Sequence, residues 1–318
     1  MAYGQLGSVQ LAAQSSYGTL NVASLRALPI VSETLKLSIA QLQEAGLYGR
    51  FGDAPRTNGL RSSGGRIAFE PLPGFLGALL YAVCGQVSTT SVAGAQVYRF
   101  RPRNTSDWDD AAALPPFTAL VHRDVASGMA YFDLCADKLA LEAVNGALLK
   151  GSVDWVGGNY ADQAKATPAF PAEAPWTWNQ CSASYGGTAL GAVRRFSLTQ
   201  NNRLQAVHVL GNSATPAAVK RTGAVEVSGQ MTLLFQSNSL MADFLAQPER
   251  QVLLNFASTV ASPAALKIDI PNFRITDYGP AIGGTGLLEL PVSWAADFAV
   301  GSSYQVEYTL TNTAPVYP

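Results

Sequence analysis

Apolar and polar residues alternate with a period of two along much of this chain, the pattern of half-buried β-strands. Leu35, Leu37 and Ile39 alternate with Lys36 and Ser38, and Ile67 and Phe69 with Arg66 and Glu70. Leu139 and Leu141 bracket Ala140, and Leu149, Gly151, Val153 and Trp155 alternate with Lys150, Ser152 and Asp154. Between the second and third of these runs, residues 73–83 follow helical spacing through Phe75, Leu76, Leu79 and Leu80, with Pro73 at a first-turn position. That predicts a short amphipathic helix lying on a sheet.

The second half repeats the programme. Phe196 and Leu198 alternate with Arg195, Ser197 and Thr199, and Val227, Met231 and Leu233 with Ser228, Gln230 and Thr232. A second short helix begins at Ser239, with Leu240, Phe244 and Leu245 on one face. Ile268 and Ile270 open the next strand, and Leu288, Leu290, Val292 and Trp294 alternate with Glu289, Pro291 and Ser293. Matching the halves pairs Leu35 with Phe196 and Leu37 with Leu198 at an offset of 161, and Gly65, Ile67 and Phe69 with Gly229, Met231 and Leu233 at 164. Leu76 and Leu80 pair with Leu240 and Phe244, again at 164. Asp133 and Leu134 pair with Asp269 and Ile270 at 136, and Val153 and Trp155 with Val292 and Trp294 at 139. Offsets that hold within elements and shift in loops predict an old duplication.

The expected organisation is a first domain over 1–158, a linker over 159–175 and a second domain over 176–318. Each copy has a long polar segment between its first two strands, 41–62 and 201–223. Connections of that length are uncommon and usually functional, so both read as arms that reach a neighbour. Their candidate contact residues are Gln43, Leu47, Tyr48, Arg50, Phe51 and Arg56 in the first, and Arg203, Leu204, Val207, His208, Lys220 and Arg221 in the second. Residues 95–120 read as a surface elaboration of the first copy. Trp176 and Trp178, two apart, read as one face of a strand covering the core.

Charge changes the picture. Only 14% of the 318 residues are charged, against about a quarter in ordinary globular chains. Such a surface points to one largely covered by other copies of the same chain. The alternative is a polar surface built from Ser, Thr, Asn and Gln. A net charge of −1, with no run of Lys and Arg longer than two, excludes a basic patch that grips nucleic acid. The N-terminus does not read as a secretory signal, and no segment approaches 18 consecutive apolar residues. Three scattered cysteines, Cys84, Cys135 and Cys181, read as free thiols of a reducing cytoplasm.

Candidate chemistry is sparse. His122 and His208 stand in no metal-ligand spacing, and no nucleophile elbow or phosphate loop is present. The glycine-rich runs 63–65 and 282–286 lead into strands and read as turns. Asp107, Asp109 and Asp110 lack the glycine and glutamate that a calcium loop needs at its sixth and twelfth positions, where Ala112 and Thr118 stand. No catalytic residue, cofactor or metal is expected.

Several motifs resemble one family. SYGT (Ser16 to Thr19) followed by LPIVSETLKL (Leu28 to Leu37) is similar to the N-terminal region of the larger phage tail tube proteins. GSVDWVG (Gly151 to Gly157), the stretch from Trp176 to Asn202 with its polar TQNN, SGQMTLLF (Ser228 to Phe235) and LPVSWAA (Leu290 to Ala296) resemble the same family. The resemblance implies a mainly β fold: two tandem copies of a tail-tube-type β-sandwich or β-barrel domain, each with a short flanking α-helix. It implies a structural subunit of the long-tailed phage virion, not an enzyme, assembled in the bacterial host cytoplasm. Its rings stack into a conduit for double-stranded DNA, with the tape measure and tail-end proteins as further partners. Most rings of the family hold six units, so two fused copies imply three chains per ring with pseudo-sixfold symmetry, the arms touching the next ring.

The polar sides of the strands are then candidates for the lumen: Lys36, Ser38, Arg66, Glu70, Lys150, Ser152 and Asp154 in the first copy, and Ser197, Thr199, Ser228, Gln230, Thr232, Glu289 and Ser293 in the second. The alternative, the solvent face of an ordinary sandwich, stays open at this point. So do a distal tail or decoration protein, and a β-sandwich adhesin or carbohydrate-binding module.

Overall fold

A computed structural model describes the chain except residues 1–2, 47, 50–51, 93, 104–113, 212, 259–263, 281–285 and 314–318. Among the described residues the chain is mainly β with two short α-helices. Its first part runs β1 (Ser8–Ala13), β2 (Arg26–Leu28), β3 (Ile30–Glu33), β4 (Lys36–Gln43), β5 (Arg56–Phe69), α1 (Pro73–Cys84), β6 (Gly85–Val92), β7 (Ala95–Pro102), β8 (Phe117–His122), β9 (Ser127–Val144), β10 (Lys150–Gly157) and β11 (Asn159–Ala164). The second runs β12 (Cys181–Tyr185), β13 (Thr188–Ala189), β14 (Val193–Asn201), β15 (Leu204–Val207), β16 (Ala218–Arg221), β17 (Glu226–Leu234), α2 (Ser239–Ala246), β18 (Arg250–Ala257), β19 (Ala265–Tyr278), β20 (Glu289–Ala296) and β21 (Glu307–Asn312).

One antiparallel sheet crosses both parts in the order β4, β5, β10, β9, β14, β17, β20, β19. Two long strands, β9 within this sheet and β19 at its end, leave it at their N-terminal ends and enter flanking sheets. The first half of β9 pairs with β8 and β11, and β8 with β1. The first half of β19 pairs with β18 and β21, and β18 with β12. A strand shared in this way folds one sheet over the other, and the apolar side chains of both meet between them. Leu35, Ile67, Val153, Trp155, Leu139 and Leu141 are buried there from the first half, and Phe196, Leu198, Met231, Val292 and Trp294 from the second.

The helices close the layers. Pro73 starts α1 without cost to its hydrogen bonding, and Gly85, in the left-handed region at φ 73°, ends it by donating its N–H to Tyr81 O. Leu76, Leu79 and Leu80 are buried beneath it. In α2 the left-handed terminus falls on Gln247, at φ 48°.

Pairings recur between the halves in detail. Trp155 lies opposite Gly65 and Val153 opposite Ile67; Trp294 lies opposite Gly229 and Val292 opposite Met231. Both β9 and β19 carry a bulge against the next strand: Ala136 opposes Trp155 and Lys138 opposes Asp154, while Ile275 opposes Trp294 and Asp277 opposes Ser293. A second bulge recurs at Phe117/Ala119 in β8 and Arg250/Val252 in β18. A hydroxyl bridge recurs as well. Arg66 N donates to Thr34 Oγ1 at 2.9 Å, and Gln230 N donates to Ser197 Oγ at 3.1 Å. These registers change two matches drawn from the sequence. Leu198 falls at the place of Leu35, an offset of 163 where alternation gave 161, and β19 follows β9 at 139 where it gave 136.

Four further expectations differ from the structure. Residues 159–164 are not linker but strand β11, paired along β9. The described parts of 95–120 are not a surface elaboration: Tyr98, Phe100 and Phe117 are buried, and β7 pairs with β21 of the second half. Trp176 is buried but Trp178 is half exposed, at the start of a 3-10 turn, so they do not share a strand face. The arms are partly strand: 41–43 and 56–62 extend the β4–β5 hairpin, and 201–223 contains the separate β15–β16 hairpin.

Candidate functional site

Side chains directly opposite one another in a ladder share a face. The ladders therefore collect the candidate lumen residues onto one side of the long sheet. Arg66 opposes Asp154, Ser152 opposes Ala68 and Ala140, and Lys36 and Ser38 oppose Gly64 and Ser62. Ser197 opposes Gln230, Thr199 opposes Ser228, Gln230 opposes Ser293, and Thr232 opposes Pro291. Lys150 opposes Glu142, and Glu289 opposes Leu234 at the first position of β20. Glu70 lies one residue beyond β5, outside the ladders. All of these residues are exposed or partly exposed, whereas their strand neighbours point into the core.

The face is close to electrically neutral. Arg66 makes a bidentate pair with Asp154 at 2.6 and 2.9 Å, Arg194 reaches Glu289 at 2.9 Å, and Arg195 pairs with Glu142 across the β9–β14 junction. Exposed pairs of this kind contribute about 0–1 kcal/mol each to stability, so their larger effect is to cancel the field over the face. Lys138, Glu142, Arg195 and Asn201 belong to the same face and were not among the sequence candidates. The alternation of Lys138, Ala140 and Glu142 with Leu139 and Leu141 carried the signal for three of its positions.

Two motifs prove to be buried polar hubs. In TQNN, Gln200 and Asn202 point into the interior. Asn202 Nδ2 donates to Val83 O near the end of α1 and to Ala136 O at the β9 bulge, both at 2.9 Å, and Tyr308 OH donates to Gln200 Oε1 at 3.1 Å. In SYGT, Gly18 N donates to the buried Asp133 carboxylate at 2.6 Å, beside Gln14 Nε2 at 3.0 Å. Asn159 also donates to that carboxylate. Each hub ties together elements far apart in the chain.

The arm candidates divide. Leu47, Arg50 and Phe51 lie outside the described residues. Gln43 and Arg56 oppose each other in the β4–β5 hairpin, and Tyr48 is exposed beyond it. The second arm folds back on its own chain: His208 Nε2 lies 2.9 Å from Arg61 O, Ala214 O accepts from Arg61 N at 2.7 Å, and Leu204 N donates to Asp137 Oδ1 at 2.6 Å. Leu204 and Val207 oppose Arg221 and Ala218, and Lys220 opposes Gln205. Arg203 pairs with Glu226 at 2.8 Å. Arg221 donates to Arg103 O and Asn202 Oδ1, and burial lowers its pKa. The tip of the second arm is apolar and exposed, with Leu210 the most open of the large apolar side chains described.

His122 Nε2 lies 2.6 Å from Val125 O, so each of the two imidazoles is held at a backbone carbonyl. Burial pushes the Cys135 and Cys181 thiols up to about 12 and raises that of Cys84 further, away from the reactive thiolate. Among the described residues no group of three or more His, Cys, Asp or Glu could hold a metal ion, and no helix is long and apolar enough to cross a membrane. Asp107, Asp109 and Asp110 lie outside the described residues, as does the 282–286 run except Gly286. A family model described as a phage tail tube protein matches residues 4–296, and no curated protein matches the chain.

Proposed function

The chain belongs to the phage tail tube protein family, and from that premise we propose that its two halves are tandem copies of one tube domain and that three chains close into a pseudo-sixfold ring. Rings stack into a tube in the virion tail, after assembly in the host cytoplasm. The polar face of the long sheet lines the lumen, and double-stranded DNA passes along it. A conduit must not hold its cargo, and each persistent phosphate contact would tighten binding by counterion release. A face whose arginines are paired with carboxylates and whose other groups are largely hydroxyls and amides meets that need. The tip of each arm reaches the next ring, and the tape measure and tail-end proteins meet the tube at its core and ends.

The observation that carries this reading is the recurrence of register, bulges and hydroxyl bridge in both halves, on strands that form one continuous sheet. A continuous sheet with an open edge at each end leaves two templates for strand pairing, which neighbouring copies would fill on closing a ring. Electron microscopy of the purified protein tests it. Hollow tubes with three chains per ring in end-on views are expected; six chains per ring would refute the fused-copy count, and monomers persisting at high concentration would refute assembly.

A further inference from the structure

The long sheet contains one junction between halves, β9 with β14, and two ends. At one end β4 pairs with β5 alone; at the other the C-terminal half of β19 pairs with β20 alone, among the described residues. By the recurrent registers, β19 is the counterpart of β9 and the β3–β4 run is the counterpart of β14. The two ends are thus the two sides of the junction already built inside the chain.

We propose that β4 of one copy receives the end of β19 of a second copy in the register of the β9–β14 junction, placing Tyr278 opposite Leu37 and Asp277 opposite Ser38. This rests on the ring reading and assigns its joint. Inside the chain, Gln200 opposes Leu139 and Asn201 opposes Lys138. Asn202 N donates to Asp137 O and Asn145 N to Arg194 O, so the hydrogen-bonded pairs of that junction are the even-numbered residues of its β14 side. The equivalent bonded pair between copies is Leu37 with Tyr278, and the equivalent close, non-bonded pair is Ser38 with Asp277.

Two substitutions at the free edges fit this joint. Pro280 stands at the place of Leu141 and has no N–H to give to Leu35, the counterpart of Leu198. The Leu35 carbonyl instead accepts from Arg123 at 2.7 Å, an arginine held by Glu33 at 2.7 Å. Ile39 stands at the place of Asn202 and cannot serve the carbonyl at the bulge of the other strand. That carbonyl, Ile275 O, is served within its own half by Gln247 Nε2 at 2.9 Å. Each bond that the second copy cannot supply is supplied locally. The Leu35 amide, donating meanwhile to Glu33 Oε2 at 2.9 Å, keeps the edge capped in the lone chain. Charge agrees as well: Asp277 falls diagonal to Lys36, within reach on the polar face.

Paired cysteines in full-length chains carrying Cys181→Ser test the register. Ser38→Cys with Asp277→Cys is expected to give covalent species between chains, up to the trimer, when assembled tubes are oxidised. Lys138→Cys with Asn201→Cys should close within one chain, and Ser38→Cys with Gly279→Cys, two residues out of register, should not bond between chains. Tubes that form without the Ser38–Asp277 crosslink, or that crosslink only at the shifted pair, overturn the register while leaving the ring. Absence of tubes from the parent chain overturns the ring itself. In a second set, Lys36→Asp and Asp277→Lys each raise the assembly threshold about threefold and together restore it; a double variant no better than the singles overturns the diagonal contact and the register with it.

Discussion

Gly229 offers the sharpest test of the interior. It lies in β17 between Leu198 and Trp294, so a side chain there points into the core. A Cβ would fall 2.7 Å from Trp294 Cζ2 and closer still to Ser197 O. Neither neighbour can retreat. The Trp294 indole is stacked between Phe196 and Phe273 at centroid distances of 5.3 and 5.0 Å, and the Ser197 carbonyl belongs to the ladder. Overpacking costs about 1–3 kcal/mol, and a clash with fixed backbone belongs at the upper end, so Gly229→Ala should lose about 3 kcal/mol. For a chain of this size about 2 °C accompanies each kcal/mol, which predicts a Tm about 6 °C lower. Gly191→Ala is the control, since nothing lies within 4 Å of a Cβ there. Thermal unfolding by circular dichroism, below the assembly concentration so that contacts between copies do not contribute, reads the difference. If Gly229→Ala melts with Gly191→Ala, the packing argument is wrong.

Two more predictions concern polar side chains at the β9–β14 junction. Asn202→Ala takes the donor from Ala136 O and leaves Val83 O with only the longer bond from Gln200 Nε2 at 3.3 Å, and should lose about 2 kcal/mol; a urea midpoint equal to that of the parent would refute the hub. The Asp137 carboxyl is raised above its ordinary value, first by burial and then by Asp154, against the Leu204 N–H bond and Lys138. Its protonated form therefore favours the fold: that stability is present below the ordinary carboxylate pKa and lost as pH rises through the folded value. Asp137→Asn, whose amide oxygen still accepts from Leu204 N, should melt above the parent at pH 7 with the gap closing toward pH 3, and an equal Tm at pH 7 would count against it.

Alternation made the long sheet and its polar face legible, because a strand with one buried face must write that face into every second residue. It could not fix the match between halves. Moving a strand by two residues preserves alternation, which is how Leu198 came to be matched with Leu37 where the ladder puts it with Leu35. The bulges near Ala136 and Ile275 change the phase as well, and pattern does not mark them. Gln200 and Asn202 interrupt the apolar phase of β14, since their partners are backbone carbonyls that no composition reveals. Strand β11 and the β15–β16 hairpin are short and polar because each pairs along one side only, so their sequences resemble loops. The core role of β7 depends on pairing with β21, more than 200 residues away, for which local sequence holds no signal.

Two strand ladders between the halves bear on how a ring would close. The β9–β14 ladder joins them in the long sheet, with Arg195 and Glu142 paired across it, and the β7–β21 ladder joins them again in a flanking sheet. A junction within one chain forms at the effective concentration set by its tether, in the millimolar range for short connections, and so forms before any contact between copies. The lone chain then presents two unlike edges, β4 and the end of β19. Unlike edges make head-to-tail contacts, which give a ring when the rotation between units closes and a filament when it does not. If the joint between copies repeats the register of the internal one, the rotation from chain to chain follows the rotation from half to half. The doubly tied internal junction would then fix the angle that every joint between copies must reproduce, and three chains would close the circle that six separate units would otherwise have to find.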